Sequence, residues 1–143
     1  MKIIIASDHA ALNEKNQLIE HLKKHNEVVD LGTNTPESTN YPDWAIKLVE
    51  AVRDGGSQGI LLCGSGIGVC MVANRFKGIR AALCRDEDDA KMARLHNNAN
   101  VLCLSGRKTR PDQILKISDT FLSTGFEGGR HQVRIDLFND LGE

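Results

Sequence analysis

The stretch Ile60-Leu61-Leu62-Cys63-Gly64-Ser65-Gly66-Ile67-Gly68-Val69 decides the fold class of this chain. A short apolar run that ends in a cysteine is typical of a buried parallel strand that stops above a site. The three alternating glycines let backbone N–H groups turn inward, where they can hold a negatively charged oxygen. Two interpretations are open at this point: a thiol acting as nucleophile or base beside an anion-binding loop, or a buried cysteine before a tight turn.

Strand-like and helix-like segments alternate along the rest of the chain. Strands are predicted at Lys2–Ala6, Val28–Leu31, Gly59–Cys63, Ile79–Cys84 and Val101–Leu104. Apolar spacing, acidic first turns and proline positions predict helices at about 12–25, 42–54, 66–75, 87–97, 111–122 and 130–141. This alternation implies right-handed crossovers and a parallel sheet with helices on both faces, which is an α/β sandwich of three layers.

Length and charge restrict the class of protein. The 143 residues make one domain, 1–143, with no internal repeat or linker. A net charge of −1 with 26% charged residues argues against nucleic acid and membrane surfaces as partners. No apolar run is long enough to cross a bilayer, and the N-terminus has the pattern of a first strand and not of an export signal. A cytoplasmic location is therefore expected.

The four cysteines, at positions 63, 70, 84 and 103, form no C-x-x-C pair and have no histidine at metal-binding spacing. They are interpreted as reduced thiols and not as a disulfide framework. The sequence therefore predicts no metal, no cluster of ligands for a divalent ion, and no cofactor.

Polar residues follow three of the predicted strands. Ser7–His9 come after the first strand, Cys63–Gly68 after the third and Gly106-Arg107 after the fifth. Ligands bind at the carboxyl ends of parallel strands, so these residues are expected at one edge of the sheet. Asp8 could equally be only a helix cap. His96-Asn97 reach the same edge only if a loop bends over it.

The glycine loop does not match three common phosphate-binding motifs. Val69 stands where the dinucleotide fingerprint G-x-G-x-x-G requires its third glycine, and no Gly-Lys-Ser/Thr follows as in a P-loop. Val69 also lies six residues after Cys63, where a cysteine phosphatase needs an arginine. These three functions are therefore excluded.

Arg130 and Arg134 lie four residues apart and so share one face of the last predicted helix. Two guanidinium groups together suit a phosphate dianion. The other interpretation is a solvated face paired with neighbouring carboxylates. The apolar residues of this helix, Val133, Leu137 and Leu141, need a surface to cover, so the helix is expected to pack on a second subunit.

Taken together, these motifs resemble the ribose-5-phosphate isomerase B family, which also includes galactose-6-phosphate isomerase subunits. The matching segments run in family order over nearly the whole chain: Ser7-Asp8-His9-Ala10, Thr39-Asn40-Tyr41-Pro42, Cys63–Gly68, Ala73-Asn74-Arg75, Gly78-Ile79-Arg80-Ala81, His96-Asn97, Asn100-Val101-Leu102 and Glu127–Arg134. Two departures are small, since Ser65 replaces a frequent threonine and Ala11 a frequent glycine. Cys63 is retained, whereas one branch of the family uses a glutamate base in the following helix, where this chain has Val69-Cys70-Met71.

The resemblance implies a Rossmann-like domain that forms a homodimer or tetramer, uses its C-terminal helix in dimerisation and builds its active sites between subunits. It also implies metal-free interconversion of ribose 5-phosphate and ribulose 5-phosphate, a step of the non-oxidative pentose phosphate pathway. The alternatives are an isomerase of a six-carbon sugar phosphate (allose 6-phosphate or galactose 6-phosphate) and a non-catalytic phosphate-binding module.

Roles for individual residues follow from the same resemblance. Asp8 and His96 would open the sugar ring. Cys63, as a thiolate, would move the proton between C2 and C1, and Ser65 would face the enediolate oxygen. The substrate-binding residues would be His9, Tyr41, Gly64, Gly66, Ile67, Gly68, Asn97, Arg107, Arg130 and Arg134.

Overall fold

Five parallel strands form one sheet in the computed structural model, which describes residues 1–143. The strands are β1 (Lys2–Ser7), β2 (Glu27–Asp30), β3 (Gln58–Cys63), β4 (Ala81–Leu83) and β5 (Val101–Ser105), in the order β2-β1-β3-β5-β4. The helices are α1 (Leu12–Leu22), α2 (Tyr41–Gly55), α3 (Ile67–Ala73), α4 (Glu87–Asn97), α5 (Pro111–Ser123) and α6 (Arg130–Asp136), with a 3-10 helix over His9–Ala11. None of the helices has both the length and the apolar character that crossing a membrane requires.

The sheet is covered on both faces, because alternate residues of each strand point to opposite sides. Ile3 and Ile5 belong to a core that α1, α4 and α5 complete, whereas Ile4 belongs to a second core completed by α2 and α3. The central strands are therefore apolar on both sides, which explains why their sequences are continuous apolar runs. This arrangement confirms the predicted three-layer α/β/α sandwich with a five-stranded parallel sheet.

Four elements are shorter than the sequence predicts. α1 ends at Leu22 and not near position 25, and α3 covers Ile67–Ala73 and not 66–75. β4 covers three residues and not Ile79–Cys84, since it lies at the sheet edge and pairs only with β5. α6 ends at Asp136 and not near position 141. The apolar spacing that predicts a longer helix does not face a core of this chain, because Leu137 and Leu141 are 79% and 70% exposed.

The connections after β1 and β3 leave the sheet in opposite directions. β1 is followed by α1 and the outer strand β2, whereas β3 is followed by α3 and the strand β4 at the other edge. The loops after these two neighbouring strands therefore diverge at the carboxyl edge of the sheet. Open parallel sheets bind their ligands at such a point.

A buried ion pair connects α1 to the end of β2. Lys15 is fully buried, and its Nζ donates to both carboxylate oxygens of Asp30, at 2.7 and 2.8 Å, and to the amide oxygen of Asn34 at 3.3 Å. Asp30 also accepts a hydrogen bond from the Gly32 N–H at 2.9 Å. The buried ammonium charge is thus paired, and the start of the loop 31–40 is held against α1.

Candidate active site

A pocket of about 480 Å³ opens at the carboxyl edge of β1, β3 and β5. Its wall combines a thiol, a carboxyl group, an imidazole and a guanidinium group with a turn of glycines. The lining residues are Asp8, His9, Ala10, Tyr41, Cys63, Gly64, Ser65, Ile67, Gly68, Met71 and Arg107. Of the predicted loop residues, only Gly66 is absent from the wall, because it is buried behind the loop.

Cys63 is the last residue of β3, and it is only 4% exposed. Its Sγ accepts a hydrogen bond from the Gly66 N–H at 3.1 Å. The Gly64 carbonyl accepts two further bonds, from the Ser105 hydroxyl at 2.7 Å and from the Arg107 N–H at 3.0 Å. The loop is therefore tied to its own cysteine and to the end of β5.

Two positions of the loop require glycine because neighbouring atoms leave no space for a Cβ. Gly66 has φ of 76°, and a Cβ there would lie 2.9 Å from the carbonyl carbon of Leu104. A Cβ on Gly68 would lie 2.5 Å from the ring of Tyr41. The loop thus packs directly on β5 on one side and on the start of α2 on the other.

Asp8 and His9 follow β1 and are both oriented by backbone groups. Asp8 is 7% exposed, and its Oδ1 accepts the Ala10 N–H at 3.1 Å, so the predicted helix-cap role is real. The Thr39 N–H donates to Nδ1 of His9 at 3.1 Å, and Trp44 Nε1 donates to the Thr39 hydroxyl at 3.0 Å. A neutral His9 with Nδ1 as acceptor carries its proton on Nε2, which is then a donor.

The other cysteines differ from Cys63 in environment. A hydrogen bond from the Cys103 thiol lowers the pKa of Cys70 to about 7, whereas burial raises the pKa of Cys84 to about 12. Cys70 lies on α3 and does not line the pocket. Cys70, the thiol whose pKa is lowered, therefore lies outside the pocket.

A second group of polar side chains lies where α4 meets the segment before α6. The rings of His96 and His131 are stacked, with centroids 4.3 Å apart and an interplanar angle of 17°. Glu127 approaches His96 Nε2 at 3.9 Å, His131 Nε2 at 3.8 Å and Arg130 at 3.3 Å. Burial, with the charges of Arg130 and His96, lowers the pKa of His131.

The structure does not bring all predicted site residues together within one chain. Besides Gly66, the predicted residues outside the pocket are His96, Asn97, Arg130 and Arg134. α4 begins at the carboxyl edge of the sheet and runs back to the opposite edge, so its last residues precede β5 and no bend returns them. The condition on which the sequence places His96-Asn97 at the edge that carries Cys63, a loop that bends over it, is therefore not met within one chain.

Several groups in the pocket and in the second polar cluster were not predicted from the sequence. The prediction that no cluster of metal-ligating residues exists is wrong, since ligand atoms of His96, Glu127 and His131 lie within 4.8 Å of one another. The spacing of Glu127 and His131 by four residues was a usable signal, but their meeting with His96 depends on tertiary packing. The Thr39 amide, as a backbone group, leaves no signal in sequence.

Known proteins resemble this chain over nearly its whole length. A sequence profile of the Ribose/Galactose Isomerase family matches residues 3–138. A probable ribose-5-phosphate isomerase B of Mycoplasma genitalium is 51% identical over 138 residues, covering 94% of this chain and 91% of that protein. The structure of ribose-5-phosphate isomerase B from Clostridium thermocellum matches with a TM-score of 0.95 at 45% identity, covering 97% of this chain and 95% of that one. The Mycoplasma genitalium enzyme with bound ribulose-5-phosphate matches with a TM-score of 0.92 at 50% identity, covering 95% and 92%.

The chain belongs to the ribose/galactose isomerase family. It is an isomerase of the aldose–ketose type. The resemblance drawn from the sequence motifs is thereby confirmed, and so is the α/β architecture that it implied.

Gly66→Ala is expected to destabilise the fold more than Gly78→Ala, although both glycines have positive φ, 76° and 80°. Left-handed backbone costs a non-glycine residue about 1–2 kcal/mol at either position. Only at Gly66 does the new Cβ also meet backbone atoms, whereas Gly78 faces open space. Overpacking adds about 1–3 kcal/mol, to be measured by denaturant unfolding of both variants. Equal losses would contradict the close packing of the loop on β5.

Proposed function

We propose that this isomerase interconverts ribose 5-phosphate and ribulose 5-phosphate through ring opening and an enediolate intermediate. The observation that carries the proposal is the Cys63 thiol in the wall of the pocket, hydrogen-bonded to the glycine loop. A relative with the same fold and 50% identity holds ribulose-5-phosphate. A phosphate-binding module without activity would have no use for such a thiol.

Cys63 is the proposed base that carries a proton between C2 and C1. One base must reach both carbons, and a thiolate at the end of β3 faces the pocket where the substrate binds. The Gly66 N–H donates a hydrogen bond to Sγ at 3.1 Å, which holds the sulfur in position at the pocket wall. The following residues, Val69-Cys70-Met71, contain no carboxylate, so no neighbouring group competes for this role.

The proposed donors to the enediolate oxygen are the Ser65 hydroxyl and backbone N–H groups of Gly64–Gly68 other than those of Gly66 and Ile67, which are already bonded to Cys63 Sγ and to Ser65. The Ser65 hydroxyl oxygen accepts the Ile67 N–H at 3.2 Å, which leaves its own proton available to the substrate. Preorganised donors of this kind contribute about 10²–10³ each in rate. Because they stabilise the developing charge, the proposed chemistry requires no metal ion.

The residues after β1 are proposed to act at the two ends of the sugar phosphate. Asp8 keeps Oδ2 free while Ala10 occupies Oδ1, so it can exchange a proton in ring opening. His9 can donate from Nε2 to a phosphate oxygen, since Thr39 occupies its Nδ1. Arg107 adds a positive charge to the same pocket, and Tyr41 would border the sugar.

The remaining predicted residues are proposed to complete the site of a second subunit. These are His96, Asn97, Arg130 and Arg134. Arg134 has no ion-pair partner in its own chain, and Arg130 has only Glu127. His96 would supply the second proton-transfer group for ring opening, and the two arginines would bind phosphate together.

Exposed apolar residues support a homodimer that joins the two halves. Ile67 and Met71, beside the pocket, are 50% and 67% exposed. Val133 and Leu137, beside the arginines, are 64% and 79% exposed. A symmetric dimer that places α6 of one subunit against α3 of the other would bury both patches.

Purified protein is expected to isomerise ribose 5-phosphate with a higher kcat/KM than allose 6-phosphate or galactose 6-phosphate. One additional carbon in a shaped pocket changes discrimination by about 10–200-fold. Initial rates with the three sugar phosphates give the order. A preference for either six-carbon substrate, or no turnover of any, would contradict the proposed substrate.

Cys63→Ser is expected to lower kcat by about 10²–10⁴, the usual contribution of a general base, while sugar-phosphate affinity changes little. Calorimetric titration with substrate separates binding from catalysis. Cys70→Ala is the matched control, because it removes a thiol of lowered pKa that does not touch the pocket. A loss below about tenfold in Cys63→Ser removes this residue from the role of base.

Mixing two inactive variants, Cys63→Ala and Arg130→Ala, is expected to restore activity after subunit exchange. If the site is shared, one site of each mixed dimer collects both defects and the other has neither. Activity should therefore rise toward half that of the wild type per mixed dimer. Each variant treated alone is the blank. Confirmed exchange without recovery means that Arg130 serves the Cys63 of its own chain.

A further inference from the structure

Three metal-ligating side chains converge outside the pocket. Ligand atoms of His96, Glu127 and His131 all lie within 4.8 Å of one another. Two imidazole nitrogens and one carboxylate oxygen are a ligand set that Zn²⁺ prefers, and three protein ligands leave a fourth position for water. A tetrahedral ion would draw these atoms to roughly 3.4 Å apart, so the trio has to contract by about 1 Å.

His131 gives an independent indication of a missing ligand. Its side chain is 7% exposed, yet its Nε2 has no hydrogen-bond partner. Buried polar atoms in folded proteins are almost always satisfied, because an unpaired one loses its bonds to water. This nitrogen is 3.8 Å from the Glu127 carboxylate, which is too far for a hydrogen bond but close enough for the two groups to share an ion.

The stacked geometry determines which ligand has to move. The lone pair of Nε2 lies in the plane of its ring, so two nearly parallel rings cannot both aim at one ion. His131 is enclosed, whereas the His96 side chain is 39% exposed and stands on the last turn of α4. His96 can therefore tilt toward the ion. The Glu127 side chain is also exposed, and an exposed ion pair such as the one with Arg130 contributes little to holding it.

We propose that His96, Glu127 and His131 form a zinc site, and that zinc bound there inhibits the enzyme by engaging His96. The inhibition rests on the ring-opening role proposed for His96, whereas the binding of zinc does not. Zinc would inhibit the enzyme reversibly without taking part in catalysis, because the proposed proton transfers need no metal.

Cobalt(II) is the probe for the binding test, since tetrahedral Co²⁺ has visible absorption bands that the hexahydrated ion lacks. Chelator-treated protein is titrated with Co²⁺, and Zn²⁺ is then added to displace it. The expected result is one tetrahedral Co²⁺ per chain without an intense near-ultraviolet thiolate band. A thiolate band, or no tetrahedral spectrum at saturating metal, would overturn the site.

Glu127→Gln is the deciding variant, because its side chain is exposed and its loss leaves the fold intact. We expect it to weaken metal binding by at least about 10–100-fold, the cost of losing even an outer-shell partner of a metal. His21→Gln is the matched control, since His21 and Asp119 form an exposed pair at 2.9 Å with no third ligand. Equal affinity in Glu127→Gln and the wild type would overturn the proposal.

Activity measurements separate this proposal from the proposed function. Zinc should inhibit wild-type turnover of ribose 5-phosphate at the concentration that displaces cobalt, EDTA should restore it, and Glu127→Gln should shift both midpoints equally. Binding without inhibition would refute the inhibitory part and count against the role of His96. No turnover by metal-free wild-type protein would refute the proposed function and leave the cobalt result standing.

Discussion

The candidate site depends on how closely the loop after β3 packs on the end of β5. There is no space for a side chain between Gly66 and Leu104, and the Gly64 carbonyl accepts hydrogen bonds from Ser105, the last residue of β5, and from Arg107 after it. The loop has no regular secondary structure, but these contacts hold it in a fixed position against the end of the sheet. This fixes the position of the Cys63 sulfur relative to the backbone N–H groups of the loop, so the proposed stabilisation of an enediolate would need no rearrangement.

The local sequence pattern predicted most accurately the ends of those elements that bury apolar residues against a core. β1 and β5 came within one residue of their predicted ends, since both are covered on two faces and their sequences are continuous apolar runs. β4 and α6 were predicted too long for different reasons. Ile79 and Cys84, at the predicted ends of β4, are buried in the two cores but lie outside its pairing with β5. Leu137 and Leu141, beyond the end of α6, face no core of this chain. Periodicity alone shows neither the extent of strand pairing nor what an element packs against.

The residues of the candidate site also divide into those that could be placed from the sequence and those that could not. Residues at strand ends, such as Asp8 and Cys63, could be placed together because parallel topology brings strand ends to one edge. His96 could not, since α4 runs against the strands and carries its last turn to the opposite edge. Its contact with His131 depends on how the chain before α6 docks on α4, where the Glu127 N–H donates to the Leu95 carbonyl at 3.1 Å. A tertiary contact of this kind leaves no periodic pattern in the sequence.

The loop between β2 and α2 is anchored at both ends and exposed in the middle. Its start is held by the buried ammonium group of Lys15, and its end by the Thr39 amide on His9. Positions 35–38, between the anchors at Asn34 and Thr39, are exposed. The entropic free-energy cost of closing a loop rises by only about 0.6 kcal/mol for each doubling of the loop's length. Insertions or deletions in this exposed segment can therefore accumulate at little thermodynamic cost while the Thr39 amide keeps His9 in position.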